Sequence, residues 1–379
     1  MSCPAKNNIS REYTYTDIKS YNKRKYTRKT FQKKRMVRFR FFILIFLILS
    51  FMLPKALFGT YNFLFLNKIH NANISIPNDT SFLRSSEKFL ANDYFMNNNS
   101  IGEVNFSNTL IKSPAITSKM PKLTARLKYL AAQNPQIEPG IFIYDYSTGK
   151  YVDINADKEF STASMIKIPI LLQTFRRIDE GLVSLNDKMT LTSYYVTEGS
   201  GLLQYRPLGT QLSVIHLAQQ MIQESDNTAT NMLLSTIGGV NDFNRAVKYW
   251  GFNKTHMSNW LPDLDGTNVA TPRDFGKLLY NIDNPDFLSL QSRAKIIDIM
   301  SNVKNRFLIQ AGLPDNVQFI HKTGDIGTML GDAGIVILPD GRKYIMVVMA
   351  KRPWNSYVAK QFIIDASKIT YDSYVSYDL

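Results

Sequence analysis

Three short strings, in fixed order along this chain, combine a hydroxyl nucleophile, a basic amine and groups that can bind an anion. They are Ser164-Met165-Ile166-Lys167, Ser225-Asp226-Asn227 and Lys322-Thr323-Gly324, whose first residues are 61 and then 97 positions apart. A serine hydroxyl is a weak nucleophile until a base removes its proton. The set therefore predicts a serine nucleophile that uses a lysine as its base.

Ser164 and Lys167 stand three residues apart at the start of a predicted helix, so their Cβ atoms lie roughly 5–6 Å apart on one face. An ammonium cannot accept a proton, so Lys167 has to be neutral when it acts. Burial among apolar residues or near other cations lowers a lysine pKa and favours that state. Ser-x-x-Lys alone is a weak signal, because the chain holds five further copies. They begin at Ser20, Ser85, Ser147, Ser292 and Ser301.

The second string lies between two predicted helices, where such residues by themselves would form a helix cap and a loop. In the functional interpretation, Ser225 passes a proton to the leaving nitrogen. Asn227 donates to a substrate amide carbonyl and helps to orient Lys167, while Asp226 is buried and structural.

The third string ends a predicted apolar strand, and its residues suit recognition of a substrate. Lys322 and Thr323 offer a cation and a hydroxyl to a carboxylate. Gly324 lets a substrate backbone lie against the strand edge. The backbone N–H groups of Ser164 and Asp325 are predicted to form the oxyanion hole.

The order of predicted elements indicates an α/β fold of the α+β type, an antiparallel sheet flanked by helices plus an all-α lobe. Strands are predicted at both ends of the domain, with helices between them. The predicted strands cover 141–146, 150–154, 317–322, 334–338 and 344–349. A sheet built from such distant segments requires an inserted helical lobe.

The net charge of +14 belongs to the N-terminus. Residues 1–40 carry 13 Lys and Arg against two acidic residues and read as a basic cytosolic tail. The apolar segment 41–58 follows, so we expect a signal anchor or a signal peptide beside anionic lipid, not nucleic-acid binding. Residues 59–118 form an Asn- and Ser-rich linker, and 119–379 the catalytic domain. That domain is expected on the extracytoplasmic side, or secreted after cleavage, as a monomer.

Cys3 is the single cysteine of the chain, and the four histidines are scattered without metal-ligand spacing. An intrachain disulfide and a paired-cysteine metal site are therefore excluded, and a metallohydrolase is disfavoured. No cofactor is expected.

With these motifs the chain resembles the class A β-lactamases and related penicillin-binding proteins over roughly residues 120–370. Further strings are similar to that family. They are Phe160-Ser161-Thr162-Ala163, Gly199-Ser200-Gly201, Asp226-Asn227-Thr228-Ala229-Thr230-Asn231, Ala270-Thr271-Pro272-Arg273-Asp274 and Leu338-Pro339-Asp340-Gly341. The resemblance implies an α/β lobe and an all-α lobe with the site between them. It also implies an acyl-enzyme at Ser164 with β-lactams or D-alanyl amides.

Two departures from the family matter for the chemistry. Leu261 stands where the resemblance implies a glutamate that activates water against the acyl-enzyme, and Asp263 or Asp265 are the nearby carboxylates that could substitute. Many relatives also carry a carboxylate-binding arginine where this chain has Gly331-Asp332, which leaves carboxylate recognition mainly to Lys322.

Three functions stay open at this stage. The first is a β-lactamase-like serine hydrolase with impaired deacylation. The second is a D-alanyl-D-alanine carboxypeptidase or transpeptidase of cell-wall metabolism, which needs no such glutamate. The third is a β-lactam receptor that is acylated without turnover and acts through the membrane segment.

Overall fold

The computed structural model describes residues 111–379. The basic tail, the apolar segment and linker residues 59–110 lie outside the described residues. Within 111–379, no helix combines the length and the apolar character needed to cross a membrane. The last part of the predicted linker runs along the domain, since the Thr117 N–H donates to the Gly149 carbonyl oxygen at 3.0 Å.

A five-stranded antiparallel sheet with the order β2-β1-β9-β8-β7 forms the centre of the domain. Its strands are β1 Glu138–Asp145, β2 Tyr151–Ile154, β7 Gln318–Ile326, β8 Met329–Ile337 and β9 Lys343–Lys351. Pairing of β1 with β9 joins the two ends of the domain, as the strand positions in the sequence predicted. Short pairs complete the strands: β3 Phe160–Ser161 with β6 Val269–Ala270, and β4 Lys188–Thr190 with β5 Gln211–Ser213.

Both faces of the sheet are covered, and the two-residue period of a strand explains how. In β1, Ile141 and Ile143 belong to one apolar layer, whereas Phe142 and Tyr144 belong to the other. The first layer packs under α1 Pro121–Ala132 and α8 Val358–Val375.

The second layer belongs to the helical lobe, whose helices follow β3 and return to the sheet before β7. They are α2 Lys167–Asp179, α3 Val214–Gln223, α4 Asn227–Thr236, α5 Gly239–Tyr249, α6 Pro272–Tyr280 and α7 Leu290–Ser301. Side-chain oxygens cap four of them through N–H groups in the first turn, which ends each preceding loop at a defined residue. The caps are Ser213, Asp226, Thr271 and Ser289.

The predicted end of the third-motif strand is wrong. Lys322-Thr323-Gly324 lies inside β7, which continues to Ile326 because the ladder with β8 runs on to the Ile326–Met329 pair. A prediction that ends the strand at a glycine misses this extension, because hydrogen bonds to the neighbouring strand β8 hold Gly324 in an extended conformation. The strand predicted at 334–338 is also longer than expected, because β8 begins at Met329, where its ladder with β7 starts.

Candidate active site

Ser164 sits in a one-turn 3-10 helix, Ala163–Ile166, directly before α2. Ala163 has a φ of 44°, in the left-handed region that costs a non-glycine residue energy. The turn is tied down because the Thr162 N–H donates to the Asn268 carbonyl oxygen at 2.8 Å. Ser164 itself remains half-buried, so its hydroxyl can meet a ligand.

Lys167, the first residue of α2, is completely buried and its amine is surrounded by oxygens. Nζ lies 3.0 Å from Ser164 Oγ and 3.1 Å from Ser225 Oγ. It also lies 2.6 Å from the Ser225 carbonyl oxygen and 2.9 Å from Asn227 Oδ1. The structure thus brings three residues of two distant motifs to one amine.

These four oxygens determine which hydrogen bonds the Lys167 amine donates and which it accepts. The Ser225 carbonyl and Asn227 Oδ1 can only accept, so they take two N–H bonds. A neutral amine then has its lone pair left for a hydroxyl proton from Ser164. Burial, and next the nearby Lys322 cation, hold the pKa of Lys167 well below its ordinary value, while Asp226 opposes this shift. The geometry and the pKa both favour a base at this position.

Ser225 and Asp226 form the corner between α3 and α4. Ser225 has a φ of 58°, again in the left-handed region. Asp226 is fully buried: Oδ1 accepts the Ala229 N–H at 2.8 Å and caps α4, while Oδ2 accepts the Leu203 N–H at 2.9 Å. A side chain at Gly201 would collide with this carboxylate, because its Cβ would lie 2.1 Å from Oδ2.

Asn227 and Asn231 project from one face of α4, one helical turn apart. Asn227 Nδ2 donates to the Glu198 carbonyl oxygen at 3.1 Å, which orients its Oδ1 toward Lys167. Asn231 Nδ2 donates to the Leu261 carbonyl oxygen at 2.8 Å. The backbone of Leu261 is therefore tied to the helix that also carries Asn227.

The two aspartates of this loop differ in their surroundings. The buried Asp263 carboxylate accepts the Thr267 N–H at 3.0 Å and the Asn268 N–H at 2.7 Å, so it helps to fold its own loop. Asp265 is exposed. That either aspartate substitutes for a glutamate stays a prediction.

Strand β7 is the edge of the sheet and faces the turn that carries Ser164. A Cβ at Gly324 would lie 2.7 Å from the Thr162 carbonyl oxygen and 3.1 Å from the Met165 N atom. The absence of a side chain at Gly324 therefore permits the close approach of this turn. Its predicted role beside a substrate backbone stays a prediction.

Lys322 and Thr323 lie on opposite faces of β7, as neighbours in a strand must. Lys322 is 1% exposed, and its ammonium donates to the Thr323 carbonyl oxygen at 2.8 Å. Burial lowers the pKa of Lys322 to about 8, and the Asp332 carboxylate limits the shift. Lys322 therefore places a buried positive charge at this strand.

Three further residues shape this end of the sheet and were missed at the level of the sequence. Asp332, buried, accepts the Ile309 N–H at 3.2 Å and lies 2.9 Å from His321 Nδ1. Arg352, at the end of β9, pairs with Asp325 and also donates to the Ile326 carbonyl oxygen at 3.1 Å. No local pattern marks a lone histidine or arginine as part of such a contact.

Among residues 111–379, no group of three or more His, Cys, Asp or Glu side chains is placed to hold a metal ion.

The two-lobed fold, with a Ser–Lys pair between a sheet edge and a helical lobe, defines the serine β-lactamase and penicillin-binding class of proteins. The chain belongs to the β-lactamase enzyme family, whose sequence profile matches residues 122–374. The resemblance seen in the motifs is therefore confirmed.

Individual relatives agree with this assignment. The chain is 30% identical to β-lactamase VEB-1 of Pseudomonas aeruginosa, over 71% of this chain and 94% of the relative. It is 28% identical to a β-lactamase of Streptomyces fradiae, over 56% of this chain and 73% of the relative.

Among solved structures, PBP-A superposes with a TM-score of 0.68 at 34% identity, covering 70% of this chain and 100% of that one. A leucine-to-glutamate variant of PBP-A, solved as its acyl-enzyme complex with penicillin G, gives a TM-score of 0.67 at 34% identity, over 68% and 98% of the two chains.

Proposed function

We propose that Ser164 forms an acyl-enzyme with β-lactams or with D-alanyl amides. The observation that carries this proposal is the buried Lys167 amine, 3.0 Å from Ser164 Oγ and 3.1 Å from Ser225 Oγ. A single amine between two hydroxyls can take a proton from the nucleophile and return one through the second hydroxyl.

In this mechanism, Ser164 Oγ attacks the carbonyl carbon as Lys167 removes its proton. The backbone N–H groups of Ser164 and Asp325 stabilise the oxyanion. The amide C–N bond then breaks, and Ser225 Oγ delivers a proton to the leaving nitrogen. The products are an ester at Ser164 and a free amine, or an opened ring for a lactam.

Leu261 makes release of the acyl group the slow step. An aliphatic side chain cannot take a proton from water, and Asp263 is committed to its loop. We therefore propose slow β-lactam turnover, and D-alanyl carboxypeptidase or transpeptidase activity as the second candidate. In a transpeptidase a reactive amine accepts the acyl group in place of water. In a carboxypeptidase the leaving product is small, so deacylation depends less on a base at position 261.

Intact-mass spectrometry after incubation with penicillin G tests the proposal. The wild type should gain the mass of one penicillin G, and Ser164→Ala should gain none. Ser301→Ala is the matched control, because Ser301 begins another Ser-x-x-Lys copy outside the site. A wild type without any adduct would overturn the proposal. A lasting adduct together with no D-alanine release from peptides would favour the receptor alternative.

A further inference from the structure

A cavity of about 390 Å³ opens next to strand β7, on the face of the sheet that α8 covers. Residues 323–325 of this strand line the cavity. Phe307, Arg352, Tyr357 and Lys360 line it as well, whereas Lys167 is not among its lining residues.

The charged side chains around this cavity leave a net positive charge. Arg352 is 9% exposed and pairs with Asp325, so these two charges offset each other. Lys360 is half-buried, with its ammonium 5.1 Å above the Phe307 ring centre. In the described part of the chain Lys360 forms no ion pair, which leaves the cavity positive. Arg352 Nε is also buried without a hydrogen-bond partner.

The walls beside the cation are aromatic and open to solvent. Phe307 is 63% exposed and Tyr357 is 84% exposed. Such faces can cover the methylene groups of a ligand whose terminal anion meets Lys360. The cavity therefore suits a flexible arm that is apolar along its length and acidic at its end.

We propose that this cavity receives the side arm of the leaving residue and selects leaving residues with a second carboxylate. The inference rests on the proposed function, together with the sequence-based expectation that the first carboxylate of the leaving residue meets the Thr323 hydroxyl and is attracted by the charge of Lys322. A leaving residue that lies along Thr323 places its side chain next to the cavity, because Thr323 also lines the cavity. The preferred substrate is then a D-alanyl amide of a dicarboxylic amino acid, such as a branch point within a cross-linked peptide.

Two peptides that differ only in this arm test the proposal. One is Nα,Nε-diacetyl-L-lysyl-D-alanyl-D-alanine, and the other ends in D-2-aminoadipate. Mass spectrometry of the released amino acid gives kcat/KM for each. Because a charged hydrogen bond is strong, the wild type should prefer the aminoadipate peptide by about tenfold. Lys360→Gln should remove the preference, and Lys360→Glu should reverse it. Lys368→Glu, an exposed lysine farther along α8, should keep it.

The outcomes separate this inference from the function on which it rests. If the wild type and Lys360→Glu show the same ratio of kcat/KM for the two peptides, the proposed role of the cavity is overturned. Acylation of Ser164 by penicillin G with neither peptide cleaved also overturns it, yet leaves acyl-enzyme formation standing. Absence of any adduct at Ser164 overturns the proposed function itself.

Discussion

Asn231 holds Leu261 through both atoms of its side-chain amide. Its Nδ2 donates to the Leu261 carbonyl oxygen at 2.8 Å, and its Oδ1 accepts the Leu261 N–H at 3.1 Å. One turn earlier on the same helix, Asn227 binds the Lys167 amine. Neighbouring turns of one helix therefore bind residue 261 and the Lys167 amine.

We expect Leu261→Glu to shorten the life of the penicilloyl adduct. A carboxylate at this position can take a proton from a water molecule, and general base catalysis contributes on the order of 100-fold or more. Release is followed by the return of the unmodified mass after excess penicillin G is removed. Leu264→Glu serves as the control, since Leu264 belongs to the same loop and is 64% exposed. Equal lifetimes in both variants would contradict the role assigned to position 261.

Lys167→Met should slow acylation by on the order of 100-fold or more, because the methionine fills similar space without a base. The acylation rate constant is obtained by stopping the reaction at successive times and measuring the acylated fraction by intact-mass spectrometry. The matched control is Lys295→Met, which alters the exposed lysine of another Ser-x-x-Lys copy and should leave the rate unchanged. An unchanged rate in Lys167→Met would show that another group removes the Ser164 proton.

Acylation by an anionic penicillin should decline as the pH rises through about 8. Burial lowers the pKa of Lys322 to about 8, so its charge is present below that pH and lost above it. The loss removes attraction for the carboxylate, and the second-order acylation rate constant should fall with it. In Lys322→Gln the rate should be low throughout, without this alkaline limb. The same midpoint in wild type and variant would assign the titration to a different group.

Asp226→Ala should lower the free energy of unfolding by about 2–4 kcal/mol. About 1 kcal/mol comes from the lost helix cap, and the rest from the buried Leu203 N–H that loses its acceptor. Urea unfolding followed by circular dichroism measures the change. Asp298→Ala removes an exposed carboxylate with a 3.6 Å ion pair and should cost less than about 1 kcal/mol. A similar loss in both variants would argue against a special role for the Asp226 corner.

Much of the local structure follows from periodicity. Strands β1, β2 and β9 were predicted within about three residues, because the alternation of apolar residues reflects burial directly. The end of β7 and the start of β8 were less accurate. There, pairing with a neighbouring strand and packing on the sheet outweigh local preference.

The residues of the site also differ in how far the sequence alone predicted them. Ser164 and Lys167 are three residues apart, so a helical turn alone brings them within reach, and the sequence was enough to name them. Gly324 was predicted to lie beside a substrate, and the structure adds a turn packed against it that no local pattern indicates. Arg352 and His321 had no signal at all, because their partners lie far away along the chain or on a neighbouring strand.

The motifs and their order in the sequence predicted the kind of chemistry: a serine, a lysine three residues later, two further motifs in order, and no glutamate after Glu224. Only the tertiary structure decided that one buried amine meets Ser164, Ser225 and Asn227 together. The physical reason is that motif spacing sets residue types, whereas the pKa and hydrogen-bond partners of Lys167 depend on segments that only packing brings into contact.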